Sequence, residues 1–295
     1  MLDIMVPFWG DPAYLRAAVR SVLEQTDPAW RLVVVDDCYP DPEVEHYVTG
    51  LDDPRVHYVR NETNLGITEN YRRCLELATA EWMVFLGCDD VMLPRYVETV
   101  RGATAGADAS VDVVQPGVVV VDGNGAEIDP LVDKVKRRLF APRGRSPIVL
   151  TGEGLAVSLL RGNWTYWPSL ALRTEAVRRQ TFVDGFPLIQ DLALLLDLAL
   201  SGSSMLVLRD EVFAYRRHSN SASSLTVADG GRFAYERAYF AIAAERCAAA
   251  GWPRAARAAR LHPASRLYAA SELPGAVRTG SWPALRTLSR HAVGR

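Results

Sequence analysis

Five aspartates stand out for the company they keep. Asp36 and Asp37 end the run VVVDD, Asp89 and Asp90 follow another apolar run in FLGCDDVMLP, and Asp191 opens the stretch DLALLLDLAL. Adjacent carboxylates repel, and a proton, a basic side chain or a metal ion is the usual relief. Such a pair can hold a hard divalent cation that binds phosphate oxygens, or accept hydrogen bonds from a base or a ribose hydroxyl. A lone aspartate in a first helical turn is favoured by the helix dipole. The plainer readings are strand-to-loop turns for the pairs and an ordinary first-turn residue for Asp191.

Stepping out from these residues, short apolar runs predict strands over Asp3–Val6, Leu32–Val35, Val56–Val59 and Trp82–Leu86. Between them, Leu15, Ala18, Val19, Val22 and Leu23, and later Ile67, Tyr71, Cys74, Leu75 and Ala78, follow helical spacing. Strand–helix alternation with continuously apolar strands implies an α/β fold, a mostly parallel sheet with helices on both faces. Ligands of such sheets bind beyond the carboxyl ends of the strands. That edge collects Pro7, Phe8 and Trp9, then Asp36 and Asp37, then Arg60, Asn61 and Asn64-Leu65-Gly66, then Asp89 and Asp90. The first strand–helix turn carries neither a dinucleotide fingerprint nor a P-loop, which excludes those two classes of nucleotide site.

Farther along, DVVQPGVVVVDGNGAEI predicts strands with turns at Pro116-Gly117 and Gly123-Asn124-Gly125. Asp133 to Pro147 is basic and weakly periodic, and reads as a mobile arm, either a functional loop or a solvent-exposed excursion. A helix is expected over Thr151–Arg161, a strand over Ser169–Arg173, a buried helix over Gln190–Leu200, and strands over Met205–Leu208 and Val212–Tyr215. From about Gly230 the chain becomes Ala- and Arg-rich, a helical tail broken by Pro253, Pro263, Pro274 and Pro283.

The 295 residues are 49% hydrophobic and 23% charged, a globular profile, and a net charge of −2 argues against nucleic-acid binding by bulk charge. The charge is divided, however. From Gly230 onward 11 Arg, no Lys and 3 Glu give the tail +8, leaving −10 for the rest. A basic tail on an acidic body points to an anionic partner such as a lipid headgroup, or to solvated helix faces. Cys38, Cys74, Cys88 and Cys247 form no C-x-x-C pair, which fits a reducing compartment. With no signal-peptide pattern and no run of about 18 apolar residues, the expectation is a cytoplasmic protein, with peripheral membrane contact or homodimerisation through the tail.

The order P-F-W, VVVDD, NLGITEN, EWMVFLGCDDVMLP, PSLALRTEAV, DGFPLIQDLALLLDLALSG and YRRHSNSAS resembles the family-two glycosyltransferases of GT-A fold over roughly residues 1 to 225. The resemblance implies a transferase domain over 1–228, with a nucleotide-binding half (1–94) and an acceptor half (95–228), followed by a helical extension (229–295). It implies a nucleotide-diphosphate sugar donor, a hydroxyl acceptor, a divalent cation (Mg²⁺ or Mn²⁺) and inversion in a single transfer. Pro7, Phe8 and Trp9 would flank the base, and Asp37 or Asp36 would accept its hydrogen bond. Asn64, Gly66 and Asn70 would lie by the nucleoside, and Asp89 and Asp90 would take the metal and ribose position. Asp191 would be the general base, and His218 would contact metal or diphosphate. Trp164, Tyr166 and Trp167 would either stack on the acceptor or pack in the core, and Asp197 is read as structural. Gly87 and Gln190 stand where the family usually has carboxylates. Two other classes compete: a non-catalytic nucleotide-sugar-binding protein and a sugar nucleotidyltransferase, the latter lacking its Gly-rich triphosphate loop.

Overall fold

Successive side chains of a strand point to opposite faces of its sheet, so a strand that is apolar throughout must be covered on both sides. A computed structural model of the chain, which describes residues 1–186, 188–218, 231–278 and 280–293, has this arrangement. The first half runs β1 (Leu2–Phe8), α1 (Pro12–Leu23), β2 (Trp30–Asp36), α2 (Glu43–Thr49), β3 (Val56–Arg60), α3 (Ile67–Leu77) and β4 (Trp82–Phe85). Then come β5 (Val91–Met92), α4 (Tyr96–Ala105), β6 (Val111–Val121), α5 (Leu131–Val135), β7 (Ile148–Leu150), α6 (Gly152–Arg161), β8 (Ala171–Arg173) and α7 (Thr174–Arg178). The chain continues through α8 (Gln190–Leu200) and β9 (Ser204–Arg216) to four helices: α9 (Gly231–Ala249), α10 (Pro253–Leu261), α11 (Pro263–Arg278) and α12 (Trp282–Val293).

The sheet order is β3-β2-β1-β4-β8-β6-β9-β5, with β7 on β9. Strands β3, β2, β1 and β4 are parallel, whereas β8 pairs antiparallel with both β4 and β6 and makes the second half mixed. Ile4, Val6, Val34 and Val84 pack on the face shared with Leu15, Val19 and Val97. Met5, Val33, Val35 and Phe85 pack on the other, with Cys74, Leu159 and Leu195. Each such fully buried aliphatic side chain contributes about 1.5–3 kcal/mol. At the amino end of the strands, buried Asp3 takes both Arg31 Nε (2.9 Å) and Nη2 (2.6 Å) and the Ala80 amide (2.9 Å), a closed structural ion pair. In the parallel half, Phe8 stands opposite Asp36, and Asp36 opposite Arg60, so the carboxyl ends form one level rim.

Four expectations are corrected. Pro116-Gly117 is not a turn, because β6 runs through it with a register shift against β9. A Cβ on Gly117 would lie 2.7 Å from the carbonyl oxygens of Arg209 and Asp210, so glycine is what lets the bulge close. The two strands expected over 205–215 are correspondingly one strand, β9. The arm from Asp133 is ordered at its start: α5 passes into a π-helical turn, Lys136–Phe140, and Asp133 is fully buried. Pro253 and Pro263 begin helices and Pro283 is the second residue of one, where the missing N–H costs little. Pro274, by contrast, lies inside α11, and the helix continues past it.

Helices α9 and α10 are part of the main core through Tyr239, Ala243, Ala255 and Ala259, and Arg246 pairs with Asp197 of α8, consistent with a structural Asp197. Helices α11 and α12 close a smaller cluster around Phe233. The boundary expected at 228/229 and the end of the YRRHSNSAS motif (Ser219–Ser223) lie outside the described residues. Among the described residues, no helix is long and apolar enough to cross a membrane.

Candidate active site

The rim is built by backbone register first. The Asp37 amide donates to Phe8 O (3.0 Å), the Asn61 amide to Asp36 O (2.8 Å), and the Leu86 amide to Met5 O (2.9 Å). These bonds carry the strand ends one residue past the ladder and bring the three loops together.

Asp36 and Asp37 both face inward. Asp36 accepts from the Tyr39 amide (2.7 Å), the Tyr58 hydroxyl and Arg60 Nη1 (3.0 Å). Asp37 accepts from Asn61 Nδ2 (2.9 Å) and from the amides of Leu65 (2.8 Å) and Gly66 (2.9 Å). Asn70 Oδ1 takes a further hydrogen bond from Asn61 Nδ2 (3.0 Å), and Asn70 Nδ2 donates to Val35 O (3.1 Å). Phe8, Asp36, Asp37 and Asn70 are all buried. They shape the Asn64-Leu65-Gly66 loop, in which Gly66 adopts φ +82°. What this frame leaves open is Trp9, 52% exposed and edge-on to Tyr39 at 5.5 Å, together with exposed Leu65 and Ile67.

The structure divides the second aspartate pair. Asp90 is buried: its Oδ1 accepts from the Arg216 amide (2.8 Å) and its Oδ2 has no partner among the described residues. Burial, reinforced by the neighbouring Asp89 charge, raises the Asp90 pKa well above the usual carboxylate range. Asp89 is half-exposed, and its Oδ2 lies 2.8 Å from His218 Nε2. Arg216, which donates to Asp89 O (2.7 Å) and to the carbonyls of Asp122 and Gly123 (3.1 Å each), serves this loop. Arg217 is bidentate to Asp133 (2.6 and 3.0 Å). Both arginines are thus already engaged. Gly87 has a steric reason: a Cβ there would lie 2.5 Å from Asp90 Oδ2 and 3.1 Å from Asp89 Oδ1. Gly87→Ala is therefore expected to destabilise the fold by about 1–3 kcal/mol, read as a lower midpoint in urea. An unchanged midpoint would show that Asp90 turns aside freely.

For a divalent cation the donors on this edge are Asp89 and His218. No group of three or more His, Cys, Asp or Glu side chains suited to a metal occurs among the described residues. One carboxylate beside one imidazole is a sparse donor set, which a divalent cation would complete with waters and substrate phosphates, the imidazole favouring a transition metal over Mg²⁺.

Asp191 sits in the first turn of α8, and its Oδ2 accepts from Asn163 Nδ2 (2.6 Å), itself held by Thr165 Oγ1 on Asn163 Oδ1 (2.7 Å). Desolvation raises its pKa, opposed by the Leu192 amide, by Asn163 and by the positive charge of Lys136. Burial pushes the Lys136 ammonium down to about 8. The neighbouring Gln190 donates to Val183 O (2.6 Å) and Phe186 O (3.1 Å), where a glutamate would set its charge against two carbonyl oxygens. Tyr71 feels the charges of both Asp191 and Asp89, and its ring meets Trp167 (5.9 Å), which stacks on Phe85 (5.5 Å). Trp167 is half-exposed, whereas Trp164 and Tyr166 are buried, Trp164 bonded to Ser158 and Tyr166 to Asp133.

Asn163, Lys136 and Asp133 were not singled out from sequence. Lys134 and Lys136 are the only lysines of the chain, which has 33 Lys and Arg together, and that rarity was the available signal.

The family described as Glycosyl transferase family 2 matches residues 3–149. The putative colanic acid biosynthesis glycosyl transferase WcaA of Escherichia coli is 33% identical over 95 residues, 32% of this chain and 34% of WcaA. The chain spans about a third of the length of most of the curated relatives it matches best. TarS 1–349 of S. aureus in complex with UDP-GlcNAc superposes with TM-score 0.62 at 17% identity, covering 100% of this chain and 92% of that one. The mannosyltransferase PcManGT of Pyrobaculum calidifontis, in complex with GDP-Man and Mn²⁺, does so with TM-score 0.61 at 17% identity, covering 99% and 79%. Residues 3–149 hold the parallel half of the sheet and the carboxyl ends of its strands, and through them the chain belongs to glycosyltransferase family 2, with a sheet of the GT-A type.

Proposed function

We propose that the protein transfers a sugar from a nucleotide-diphosphate donor to an acceptor hydroxyl, with inversion and assisted by a divalent cation. The observation that carries this reading is Asp89 beside His218 at the strand-end rim, together with Asp191 in the first turn of α8, where Asn163 holds its carboxylate. Trp9 and the Asn64-Gly66 loop would receive the base and nucleoside, with Pro7 alongside and Asp37 fixing the loop amides. A bound Mg²⁺ or Mn²⁺ would supply neutralisation of the diphosphate leaving group, with Asp89 and His218 as its protein ligands.

Asp191 takes the proton of the acceptor hydroxyl while that oxygen attacks the anomeric carbon from the face opposite the diphosphate. Asn163 aims its carboxylate. The half-exposed face of Trp167 is the surface offered to the acceptor, and buried Trp164 and Tyr166 support it. We take 1–228 as the transferase proper and 229–295 as an extension that shares its core. The complexes of TarS with UDP-GlcNAc and of PcManGT with GDP-Man and Mn²⁺ support a nucleotide-sugar donor on this fold. Thermal shift with UDP, GDP, ADP, CDP and dTDP in the presence of Mn²⁺ tests it. One nucleotide is expected to raise the melting temperature in a Mn²⁺-dependent way, and no response to any of them would end the reading.

A further inference from the structure

Two basic segments lie largely outside the candidate site: the arm around residues 131–145, of which Asp133 and Lys136 reach it, and the extension from Gly231 onward. They are distant in sequence and meet in space at Gly162, where a Cβ would lie 2.6 Å from Phe140 Cγ of the arm and 2.9 Å from Ala264 Cβ of α11. Together they hold most of the exposed large hydrophobic side chains among the described residues, including Leu131 (75%), Leu139 (62%), Leu267 (58%), Val277 (64%) and Trp282 (79%).

The cations are as distinctive. Arg254, Arg257 and Arg260 form an exposed stripe along α10, whose opposite face of Ala255, Ala256, Ala258 and Ala259 is buried in the core. Arg278, Arg286 and Arg290 are exposed on α11 and α12. None of these six has a carboxylate within ion-pair distance among the described residues, whereas Arg31, Arg72 and Arg173 of the body do. The tail's excess charge of +8 rests on arginine alone, the side chain whose planar fork matches phosphate.

We propose that the arm and the C-terminal helices together form a docking face for an anionic lipid bilayer. Arginines meet headgroup phosphates there, while Trp282, Val277, Leu267 and Leu139 enter the boundary between headgroups and acyl chains. A nucleic-acid backbone would satisfy the arginines but offers these aliphatic side chains no apolar phase. The proposal does not depend on the transferase reading.

Sedimentation of the full chain with phosphatidylcholine vesicles, with and without phosphatidylglycerol, tests it. Binding is expected only with phosphatidylglycerol and should fade in 1 M salt, where screening acts within about 3 Å. The triple variant Arg254→Glu, Arg257→Glu, Arg260→Glu should weaken binding by roughly tenfold or more, and Trp282→Ser should weaken it several-fold. All four positions are exposed, so melting temperatures should hold. Lack of binding to phosphatidylglycerol vesicles, equal binding to neutral ones, or full binding by both variants would overturn the proposal. So would a dimer in light scattering that the triple variant dissolves, which would assign the face to the acidic body of a second copy.

Discussion

Asp191→Asn is expected to lower the rate of sugar transfer by about 10²–10⁴-fold, with the Mn²⁺-dependent thermal shift by the donor nucleotide retained. The substitution is nearly isosteric, and the new side-chain oxygen can still accept from Asn163 Nδ2, as the carboxylate does at 2.6 Å. What disappears is the capacity to take a proton. The pH profile provides a second readout. Burial raises the Asp191 pKa above its ordinary value of 3.8, and the base works only when ionised. Activity should therefore fall as pH drops through that raised value, and the acid limb should lie above the usual aspartate range. Near wild-type turnover in the variant would remove Asp191 from the chemistry, whatever the donor result.

The second large effect separates two neighbours. Asp89→Asn should abolish the Mn²⁺-dependent stabilisation by nucleotide and cost at least about 10²-fold in activity, with little change in melting temperature, because Asp89 is half-exposed. Asp90→Ala should do the reverse. It leaves the Arg216 amide without its acceptor inside the protein, at a cost of about 1–3 kcal/mol of stability, while the metal response of the folded fraction survives. If Asp90→Ala erased the metal response and Asp89→Asn did not, the two assignments would have to be exchanged.

Several structural facts were hidden from a reading of the chain alone, each for a definite reason. Asp36 and Asp37 look alike as sequence, two carboxylates ending a strand. Apart from the Tyr39 amide on Asp36, their partners come from β3 and from the loop before α3, 22 to 29 residues away, and only the folded register brings these together. The arm from Asp133 lacks periodicity because an ion pair with Arg217, 84 residues on, holds it rather than an apolar stripe. Gly87 reads as a lost carboxylate, yet the space a side chain would need is occupied by Asp90. Gln190 likewise answers two carbonyl oxygens that local pattern cannot reveal.

The sequence by itself determined the parallel half of the sheet, its helices and the identity of the residues on the rim. Those features follow from apolar periodicity, which is local, and from the rule that parallel strands end on a common edge. Tertiary structure decided which of those residues face out. A carboxylate's exposure depends on donors contributed by distant segments and on how much water they displace, so Asp89 and Asp191 keep exposed surface while Asp36, Asp37 and Asp90 are buried. It also decided that the arm and the basic tail adjoin, because the contact that joins them passes through Gly162, which neither segment contains.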